Sequence, residues 1–429
     1  MTTRAESLLS RRKKLLGPAY SLFYQRPLHI VRGEGVWLYD ADGRRYLDMY
    51  NNVPHVGHCH PKVVEAICRQ SSLLNTHTRY LHELVLDYAE QLTGTLPDGL
   101  DVAMFSCTGT EANELALRIA RGVTGGSGVI VTDYSYHGNS QAISEITTEY
   151  GSPHGLPPYV VAVPAPDAYR GAYRGEDAAE RYASHVTEAI GTLQGRGIAP
   201  AALVLDTIVS SEGVVAVPPG YLTHAARAIR AAGGLFIADE VQPGFGRTGE
   251  RFWGFELDGV MPDIVTMGKP MGNGYPLAAT VTRSDVAAAF ARQTRYFNTF
   301  GGNPVAAAAG LAVLDVVRTE RLQQNALQLG RHLVAGLEKL GVRHERLGDV
   351  RGTGLFLAVE LVDDRVSRKP ATEYADRIVE ALRDEGVLTN TIGRDENILK
   401  LRPPMVLCRE DADMFLAILD RVLARVIHE

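Results

Sequence analysis

Lys269 and Asp239 are the two residues whose surroundings point most directly to chemistry. Lys269 follows the apolar run DIVT and is flanked by glycine, methionine and proline. Apolar surroundings disfavour the charged form of a lysine, which makes its amine a candidate nucleophile. Asp239 opens the pair Asp239-Glu240 at the end of the run GLFIA, and buried carboxylates are costly unless they are paired. A lysine that reaches from its loop to solvent is the alternative.

Two further loops have the residue types that bind a phosphate and a flat ring. Thr108-Gly109-Thr110 separates an apolar run from a long helical stretch, and hydroxyls with free N–H groups at a helix N-terminus bind anions. Tyr136-His137 follows the run GVIVT, and an aromatic ring held there could stack on a planar ligand. Each loop alone has a structural alternative, a helix cap in the first case and a cover for the core in the second.

A phosphate site, a stacking ring, a buried acid and a lysine are together the parts that pyridoxal 5′-phosphate requires. Asp239 would keep the pyridine nitrogen protonated, so that the ring accepts electrons from a carbanion at the amine carbon. Lys269 would bind the cofactor as a Schiff base, be displaced by the substrate amine and then move the proton. The residues therefore predict an enzyme that uses pyridoxal phosphate.

Two other motifs are expected to have no such role. Gly244–Gly249 matches GxGxxG, but it does not follow its strand directly and opens no helix, so dinucleotide binding is not predicted. His55–His60 contains four residues of metal-binding type. Neighbours in an extended chain point to opposite sides, so one ion could collect few of them. We expect a turn before a helix at Pro61, and no metal site.

The elements that must position these residues alternate along the chain. From about residue 60, short apolar runs alternate with helical stretches. This predicts an α/β fold with a mostly parallel sheet covered by helices on both faces. Each motif follows such a run, and ligands of open α/β sheets bind at the carboxyl ends of the strands. Residues 27–50 predict a small antiparallel meander, and amphipathic helices interleave with short strands from about residue 316.

These changes in pattern divide the chain into three parts. We predict an N-terminal segment over residues 1–60, a large cofactor-binding α/β domain over residues 61–315 and a C-terminal α+β domain over residues 316–429. The N-terminal and C-terminal segments are expected to build one smaller α+β domain beside the large one.

Composition narrows the classes of function. The 429 residues are 45% hydrophobic and carry a formal charge of −6, so no global positive field recruits nucleic acid or anionic lipid. The four cysteines form no CxxC pair, which favours a reducing cytoplasm. No apolar run approaches the ~20 residues of a membrane span. The basic N-terminal stretch has some character of a transit peptide, but a solvated helix face fits it better.

Longer stretches around the motifs are similar to the class III aminotransferases, a family of pyridoxal-phosphate enzymes with fold type I. The similarity covers almost the whole chain. The matching stretches are Gly57–Pro61, Gly109–Asn113, Tyr136–Gly138, Ala238–Gly249, Met267–Lys269 and Phe297–Pro304.

For the cofactor ring, the resemblance assigns a role to five residues. It implies that Lys269 binds the cofactor covalently and that Asp239 pairs with the pyridine nitrogen. Tyr136 would stack on the ring, Val241 would pack against the opposite face, and Gln242 would approach the 3′ oxygen.

For the cofactor phosphate, the resemblance implies a site shared between two subunits. Gly109 and Thr110 would hold the phosphate, and Thr299 would reach it from a second subunit. Thr108 and His137 belong to the same cofactor-binding set. A site completed by Thr299 makes a homodimer the smallest complete assembly.

Other stretches resemble a narrower branch, the ethanolamine-phosphate phospho-lyases, which are lyases built on an aminotransferase frame. They are Asn51–Pro61, Asn75–His82, Pro166–Gly171 and Ile398–Met405. Two positions depart from aminotransferases that use 2-oxoglutarate. Ser211 stands where those enzymes commonly have a glutamate, with Glu212 one place on. Lys400 replaces an arginine that forks around a dicarboxylate, which a lysine does not do equivalently.

Basic residues in these stretches indicate a phosphate-bearing substrate. Lys400 and Arg402 are two apart on a predicted strand and share a face, and with Arg79 they could neutralise a phosphomonoester. Structural ion pairs are the alternative for Arg79 and Arg402. The predicted activity is elimination of phosphate from ethanolamine phosphate, which gives acetaldehyde, ammonia and phosphate. The alternative activity is that of an ω-aminotransferase with pyruvate or 2-oxoglutarate as acceptor.

Overall fold

The computed structural model describes residues 4–151 and 154–426. Residues 1–3 and 427–429, at the outer ends of the two predicted terminal segments, lie outside the described residues. Within the described ranges the strands are β1 (Ile30–Glu34), β2 (Trp37–Asp40), β3 (Arg45–Asp48), β4 (Val102–Ser106), β5 (Gly128–Thr132), β6 (Val160–Val163), β7 (Pro200–Asp206), β8 (Leu235–Asp239), β9 (Ile264–Met267), β10 (Ala278–Thr282), β11 (Leu347–Thr353), β12 (Phe356–Leu361), β13 (Val387–Leu388), β14 (Asn390–Ile392) and β15 (Ile398–Leu401).

Helices lie before, between and after these strands. They are α1 (Arg4–Leu16), α2 (Pro61–Ser71), α3 (Glu83–Thr93), α4 (Gly109–Thr124), α5 (Gln141–Ser144), α6 (Ala178–Gly195), α7 (Tyr221–Ala231), α8 (Ser284–Ala291), α9 (Pro304–Thr319), α10 (Leu322–Arg343), α11 (Thr372–Asp384) and α12 (Arg409–Val426), with a short 3₁₀ helix at Gly254–Asp258. None of the helices in the described ranges is both long and apolar enough to cross a membrane.

Seven strands of the described chain form the central sheet, in the order β4-β10-β9-β8-β7-β5-β6. Strands β6, β5, β7, β8 and β9 pair in parallel, whereas β10 is antiparallel to both of its neighbours. The predicted, mostly parallel sheet is therefore confirmed. The sequence analysis did not anticipate the antiparallel strand β10. Its residues AATVT are all buried, and composition does not reveal the direction of a strand.

Side chains of the strands alternate between two layers of helices, as a period of two residues requires. Val204 and Ile237 pack in one apolar cluster with buried residues of α4 and α8. Leu203 and Phe236 point to the other face and pack with α6 and α7. The predicted cover of helices on both faces is confirmed. The carboxyl ends of β4, β5, β7, β8 and β9 are left open at one edge, where the predicted motifs follow.

Strands from both ends of the chain share a sheet. Strand β13 pairs in parallel with β3 and extends the predicted meander to the order β1-β2-β3-β13. A second small sheet has the order β11-β12-β15-β14. The smaller domain expected from the two terminal segments is thus present. The boundaries themselves stay predictions, and the one between residues 315 and 316 falls inside α9.

An aromatic stack fixes the strand that leads into the Thr108 loop. Tyr88 of α3 is fully buried and stacks on Phe105 of β4, with ring centroids 5.4 Å apart. Gly310 of α9 lies against the same tyrosine. A Cβ atom at this position would lie 2.3 Å from Tyr88 Cζ, so a glycine is what allows α3 and α9 to approach this closely.

Gly310→Ala is expected to lower the free energy of unfolding by about 1–3 kcal/mol, the usual cost of overpacking a core. Gly191→Ala in α6 is the matched control, because a Cβ atom there meets nothing within 4 Å. It should raise stability by up to about 1 kcal/mol through helix propensity. Denaturant unfolding of both variants measures the difference. A Gly310→Ala protein as stable as the wild type would contradict the packing argument.

Candidate active site

A cavity of about 340 Å³ lies at the open edge of the central sheet. It brings together loops that are far apart in sequence and follow β4, β5, β8 and β9. Every residue predicted to bind the cofactor lines it, except Thr299. These residues are Thr108, Gly109, Thr110, Tyr136, His137, Asp239, Val241, Gln242 and Lys269.

The N-terminus of α4 forms a cradle suited to a phosphate. The Thr108 side chain accepts the N–H of Glu111 at 3.2 Å, and the Glu111 carboxylate accepts the N–H of Thr108 at 3.0 Å. The N–H groups of Gly109 and Thr110 lie in the first helical turn, whose donors have no partner within a helix. A Cβ atom on Gly109 would lie 2.9 Å from Val241 Cγ1, so residue 109 must be small. Free donors at the positive end of a helix fit a phosphate.

Asp239 is buried at the end of β8 and is oriented by three neighbouring groups. Its Oδ2 accepts from Asn113 Nδ2 at 2.9 Å and lies 2.8 Å from His137 Nδ1. Its Oδ1 accepts the N–H of Val241 at 3.1 Å. Since Asp239 lines the cavity, this network holds a carboxylate where a ring nitrogen could meet it.

Lys269 follows β9 and its amine lies at the cavity wall. Burial, and then the charge of Arg402, lowers the pKa of Lys269 to about 8. With this pKa, about a tenth of the amine is uncharged at pH 7 and about half at pH 8, and the uncharged form is the one that a nucleophile or a base requires.

Lys400 and Arg402 are both buried on or just after β15, beside the cavity. Both converge on Gln242 Oε1, with Lys400 Nζ at 3.5 Å and Arg402 Nη1 as a second donor. Arg402 Nε donates to the Tyr50 carbonyl at 2.9 Å. Burial lowers the pKa of both cations, and the charge of Arg402 lowers that of Lys400 further. Among the described residues, no carboxylate lies within 4.0 Å of either cation.

Arg79 and Thr299 are exposed and lie outside the cavity. The Arg79 guanidinium lies over the ring of Phe297, 3.8 Å from its centroid, and Phe297 is two residues before Thr299. A single chain therefore brings neither Arg79 to Lys400 nor Thr299 to Gly109. Instead, Arg79 and Thr299 share one surface.

The loop after β7 does not place a carboxylate beside the cations. Glu212 is buried, its Oε1 accepts the hydroxyl of Thr132, and burial raises its pKa to about 8. Val209 and Val214 bracket this part of the loop with φ values of 51° and 50°, which β-branched residues rarely adopt. Ser211 is buried and offers a hydroxyl only. The departure expected at Ser211 is therefore not compensated by Glu212.

Two acidic or amide residues of the site had no role in the sequence analysis. Asn113 lies one turn along α4 from Gly109 and Thr110, and it also accepts the Thr266 hydroxyl at 2.6 Å. The helical period could have found it. Asp206 ends β7 in register with Asp239, and burial followed by the Asp239 charge raises its pKa. Alignment of the two strand ends could have found it.

The sequence matches the family described as Aminotransferase class-III over residues 22–423. The chain belongs to this family. Its fold is that of the family, fold type I, and its cofactor is pyridoxal phosphate. The predictions of family, fold class and cofactor are confirmed.

Curated relatives of this class III chain have names from two reaction classes. An "alanine–glyoxylate aminotransferase 2-like" protein of Drosophila melanogaster is 43% identical, over 97% of this chain and 87% of the relative. An "ethanolamine-phosphate phospho-lyase homolog 1" of Caenorhabditis elegans is 40% identical, over 97% of this chain and 93% of the relative.

Solved structures show the same division. A phospholyase from Arthrobacter in complex with phosphoethanolamine is 45% identical, with a TM-score of 0.94 and coverage of 97% of this chain and 99% of that chain. A transaminase from Virgibacillus is 27% identical, with a TM-score of 0.89 and coverage of 98% of this chain and 99% of that chain.

The residues of this class III chain fit the cofactor. The α4 cradle would hold its phosphate, the narrow space between Gly109 and Val241 requires a glycine, and Lys269 and Asp239 both line the cavity. His137 Nε2 is buried without a hydrogen-bond partner among the described residues, so the histidine is held by Asp239 alone through its ring. The individual roles of these residues stay predictions.

Removal of the Lys269 charge should stabilise the apoprotein. The pKa of Lys269 is lowered from 10.5 to about 8, so protonating it in the fold costs free energy, in full below about pH 8 and not at all above about pH 10.5. Lys269→Met should therefore raise the free energy of unfolding of the cofactor-free protein by about 1–3 kcal/mol at pH 7. The gain should shrink as the pH rises towards 10.5.

Denaturant unfolding of cofactor-free wild-type and variant proteins at several pH values is the measurement. Lys339→Met, in the exposed face of α10, is the control and should change stability little at any pH. A Lys269→Met protein that is no more stable at pH 7 than at pH 10, relative to wild type, would contradict the burial of this amine.

Proposed function

We propose that this protein is a pyridoxal-phosphate-dependent phospho-lyase that eliminates phosphate from ethanolamine phosphate. The products are acetaldehyde, ammonia and inorganic phosphate, with one water consumed. The observation that carries the proposal is a pair of buried cations, Lys400 and Arg402, with no carboxylate partner within 4.0 Å among the described residues.

Uncompensated buried charges are costly, so such a pair indicates a ligand of opposite charge. Their common contact, Gln242, also lines the cavity that contains Lys269. A substrate with an amine at one end and a dianionic phosphate at the other would place the amine at Lys269 and the phosphate at Lys400 and Arg402. A dicarboxylate acceptor matches less well, because Lys400 is a point charge and no arginine fork is present at that position.

The proposed reaction divides the work among these residues. Bound pyridoxal phosphate supplies the electron sink, and Asp239 would hold a proton at the ring nitrogen. Lys269 Nζ would take the proton from the amine-bearing carbon. The bond between the neighbouring carbon and the phosphate oxygen then breaks, and its electron pair leaves with the phosphate. Lys400 and Arg402 would stabilise the charge that grows on the leaving group. The enamine that remains takes up water and yields acetaldehyde and ammonia.

We also propose a homodimer in which each subunit completes the other's site. Thr299 and Arg79 lie on one surface through Phe297, so a second copy that brings Thr299 to the α4 cradle also brings Arg79 near it. Exposed apolar residues near Arg79 and Thr299 in sequence would be buried in such an interface, including Leu73, Leu81 and Phe300 at 73%, 96% and 70% exposure.

The aminotransferase alternative is supported by relatives rather than by the site. The Drosophila relative and a human relative, 35% identical, both have names of alanine–glyoxylate aminotransferases. The human relative is also named mitochondrial, and the cytoplasmic location expected from the sequence stays a prediction. Both reactions need Lys269 and Asp239, and they differ in what happens after proton removal.

Loaded enzyme with ethanolamine phosphate and no amino acceptor should release phosphate and acetaldehyde in equal amounts over many turnovers. Elimination should outrun reprotonation because phosphate is a good leaving group next to the deprotonated carbon. Arg79→Ala should raise the KM for ethanolamine phosphate by about tenfold or more, the loss of one charge-assisted hydrogen bond. Coupled assays for phosphate and acetaldehyde provide the measurement.

Arg69→Ala, which removes an exposed arginine of α2, is the control for surface charge and should leave KM unchanged. If no phosphate is released, while an ω-amine turns over only with pyruvate or 2-oxoglutarate present, the enzyme is an aminotransferase and the proposal is wrong.

Asp239→Asn should lower turnover by at least about a thousandfold, or roughly 4 kcal/mol of barrier, with cofactor still bound. The amide keeps the size of the side chain but loses the charge that holds the pyridine proton. Glu240→Gln is the matched control, because among the described residues the neighbouring carboxylate bonds only Thr207 and the N–H groups of Gly254 and Phe255. It should lower stability and keep turnover per folded molecule. Near-normal turnover of Asp239→Asn would refute the assigned role.

A further inference from the structure

Ser210 is a fully buried serine in the loop after β7, and its hydroxyl contacts the Gln242 side chain, which is expected to approach the cofactor. We propose that Ser210 is a positioning residue, whose hydroxyl fixes the Gln242 amide so that the amide oxygen faces Lys400 and Arg402. The inference rests on the proposed function, since it concerns how the same site holds a phosphate.

The hydroxyl proton of Ser210 is committed to Asp206. Ser210 Oγ donates to Asp206 Oδ2, and the Ser210 N–H reaches the same oxygen at 3.2 Å. Asp206 Oδ1 accepts the N–H of Ile208 at 3.1 Å. A hydroxyl has a single hydrogen, so Ser210 Oγ can only accept from any further partner.

The further partner is the Gln242 amide nitrogen, which lies 2.7 Å from Ser210 Oγ. With its nitrogen held there, the amide must turn its oxygen to the other side. That oxygen meets Arg402 Nη1, and Lys400 Nζ at 3.5 Å. The opposite orientation would point an NH₂ group at two cations and leave it without an acceptor.

The arrangement places a neutral acceptor between two like charges. Lys400 Nζ also lies 3.4 Å from the Ser210 carbonyl, and Arg402 Nε is held by the Tyr50 carbonyl at 2.9 Å. Dipolar oxygens therefore fix the directions of both cations without neutralising either charge. A carboxylate at Gln242 or Ser210 would compete with the phosphate, whereas an amide and a hydroxyl do not.

Because all these groups are buried, no water readily replaces a missing partner. Ser210→Ala would leave the Gln242 nitrogen without an acceptor and free the amide to turn. Both cations would then lose a shared acceptor and point less well at one anion. The direct consequence is weaker binding of phosphate, with the cofactor cradle at α4 left intact.

The test measures binding of inorganic phosphate to enzyme loaded with pyridoxal phosphate, so that the cofactor's own phosphate site is filled. Titration calorimetry should give a Kd about tenfold higher for Ser210→Ala than for wild type, the effect of one hydrogen bond in a charged network. Ser211→Ala removes the hydroxyl of the adjacent buried serine, which makes none of these contacts, and should leave Kd unchanged. In a Gln242→Ala background, Ser210→Ala should raise the Kd little further, because the amide that Ser210 positions is already absent.

An unchanged Kd for Ser210→Ala, an equal rise for Ser211→Ala, or a full tenfold rise in the Gln242→Ala background would each overturn the inference. So would wild-type enzyme that does not bind phosphate at all. The proposed function is judged separately, by release of phosphate from ethanolamine phosphate. If wild-type enzyme releases phosphate from ethanolamine phosphate and Ser210→Ala leaves the Kd unchanged, only the positioning role of Ser210 is refuted. If Ser210→Ala raises the Kd but wild-type enzyme shows no such turnover, only the proposed lyase activity is refuted.

Discussion

The cost of burying charge at one edge of a parallel sheet is the constraint on which this structure depends. Asp206 and Asp239 are buried and end adjacent strands in register, and the charge of Asp239 adds to the effect of burial in raising the pKa of Asp206. Lys269 lines the cavity, and Lys400 and Arg402 lie beside it. Burial, and then the charge of Arg402, lowers the pKa of both lysines. Among the described residues, no lysine or arginine lies within 4.0 Å of either aspartate.

Neutral polar groups, rather than opposite charges, are the hydrogen-bond partners of these charged residues. Asn113 donates to Asp239, and Ser210 donates to Asp206. Gln242 accepts from Lys400 and Arg402. A direct ion pair would satisfy each charge internally and leave little for a ligand to gain. Hydrogen bonds to dipoles orient the same groups while their charges stay available. Under the proposed function, Asp239 would receive a ring nitrogen, and Lys400 and Arg402 would receive an anion.

The loop after β7 bears on the proposed choice between a lyase and an aminotransferase. Residues Thr207 to Val214 follow β7 and contact the second small sheet, where Arg351 of β11 donates to the carbonyls of Gly213 and Val214. Two valines in left-handed conformation show that this path is imposed by its surroundings rather than chosen by the loop itself. It turns Glu212 towards Thr132 and leaves Ser210 beside Gln242. The backbone path, as much as the residue types, therefore decides which polar groups lie next to Lys400.

Much of this molecule follows from local sequence. The apolar runs predicted β4, β5, β7, β8 and β9, and the residues after them predicted the cavity wall, because the side of a parallel sheet on which its strands end is determined by chain direction. The antiparallel β10 and the register of Asp206 with Asp239 were not predicted, because pairing is a property of two strands and neither strand alone contains it.

The sequence by itself determined which residue types stand at the strand ends, and so the family, the fold class and the cofactor. Tertiary structure decided what each charge faces. It gathered Lys400 and Arg402 around Gln242, which lies more than 150 residues earlier in the chain, and it left Arg79 on an outer surface against Phe297. The physical reason is range: propensity and hydrophobic period act over a few residues, whereas electrostatic and hydrogen-bond partners are chosen by packing between segments distant in sequence.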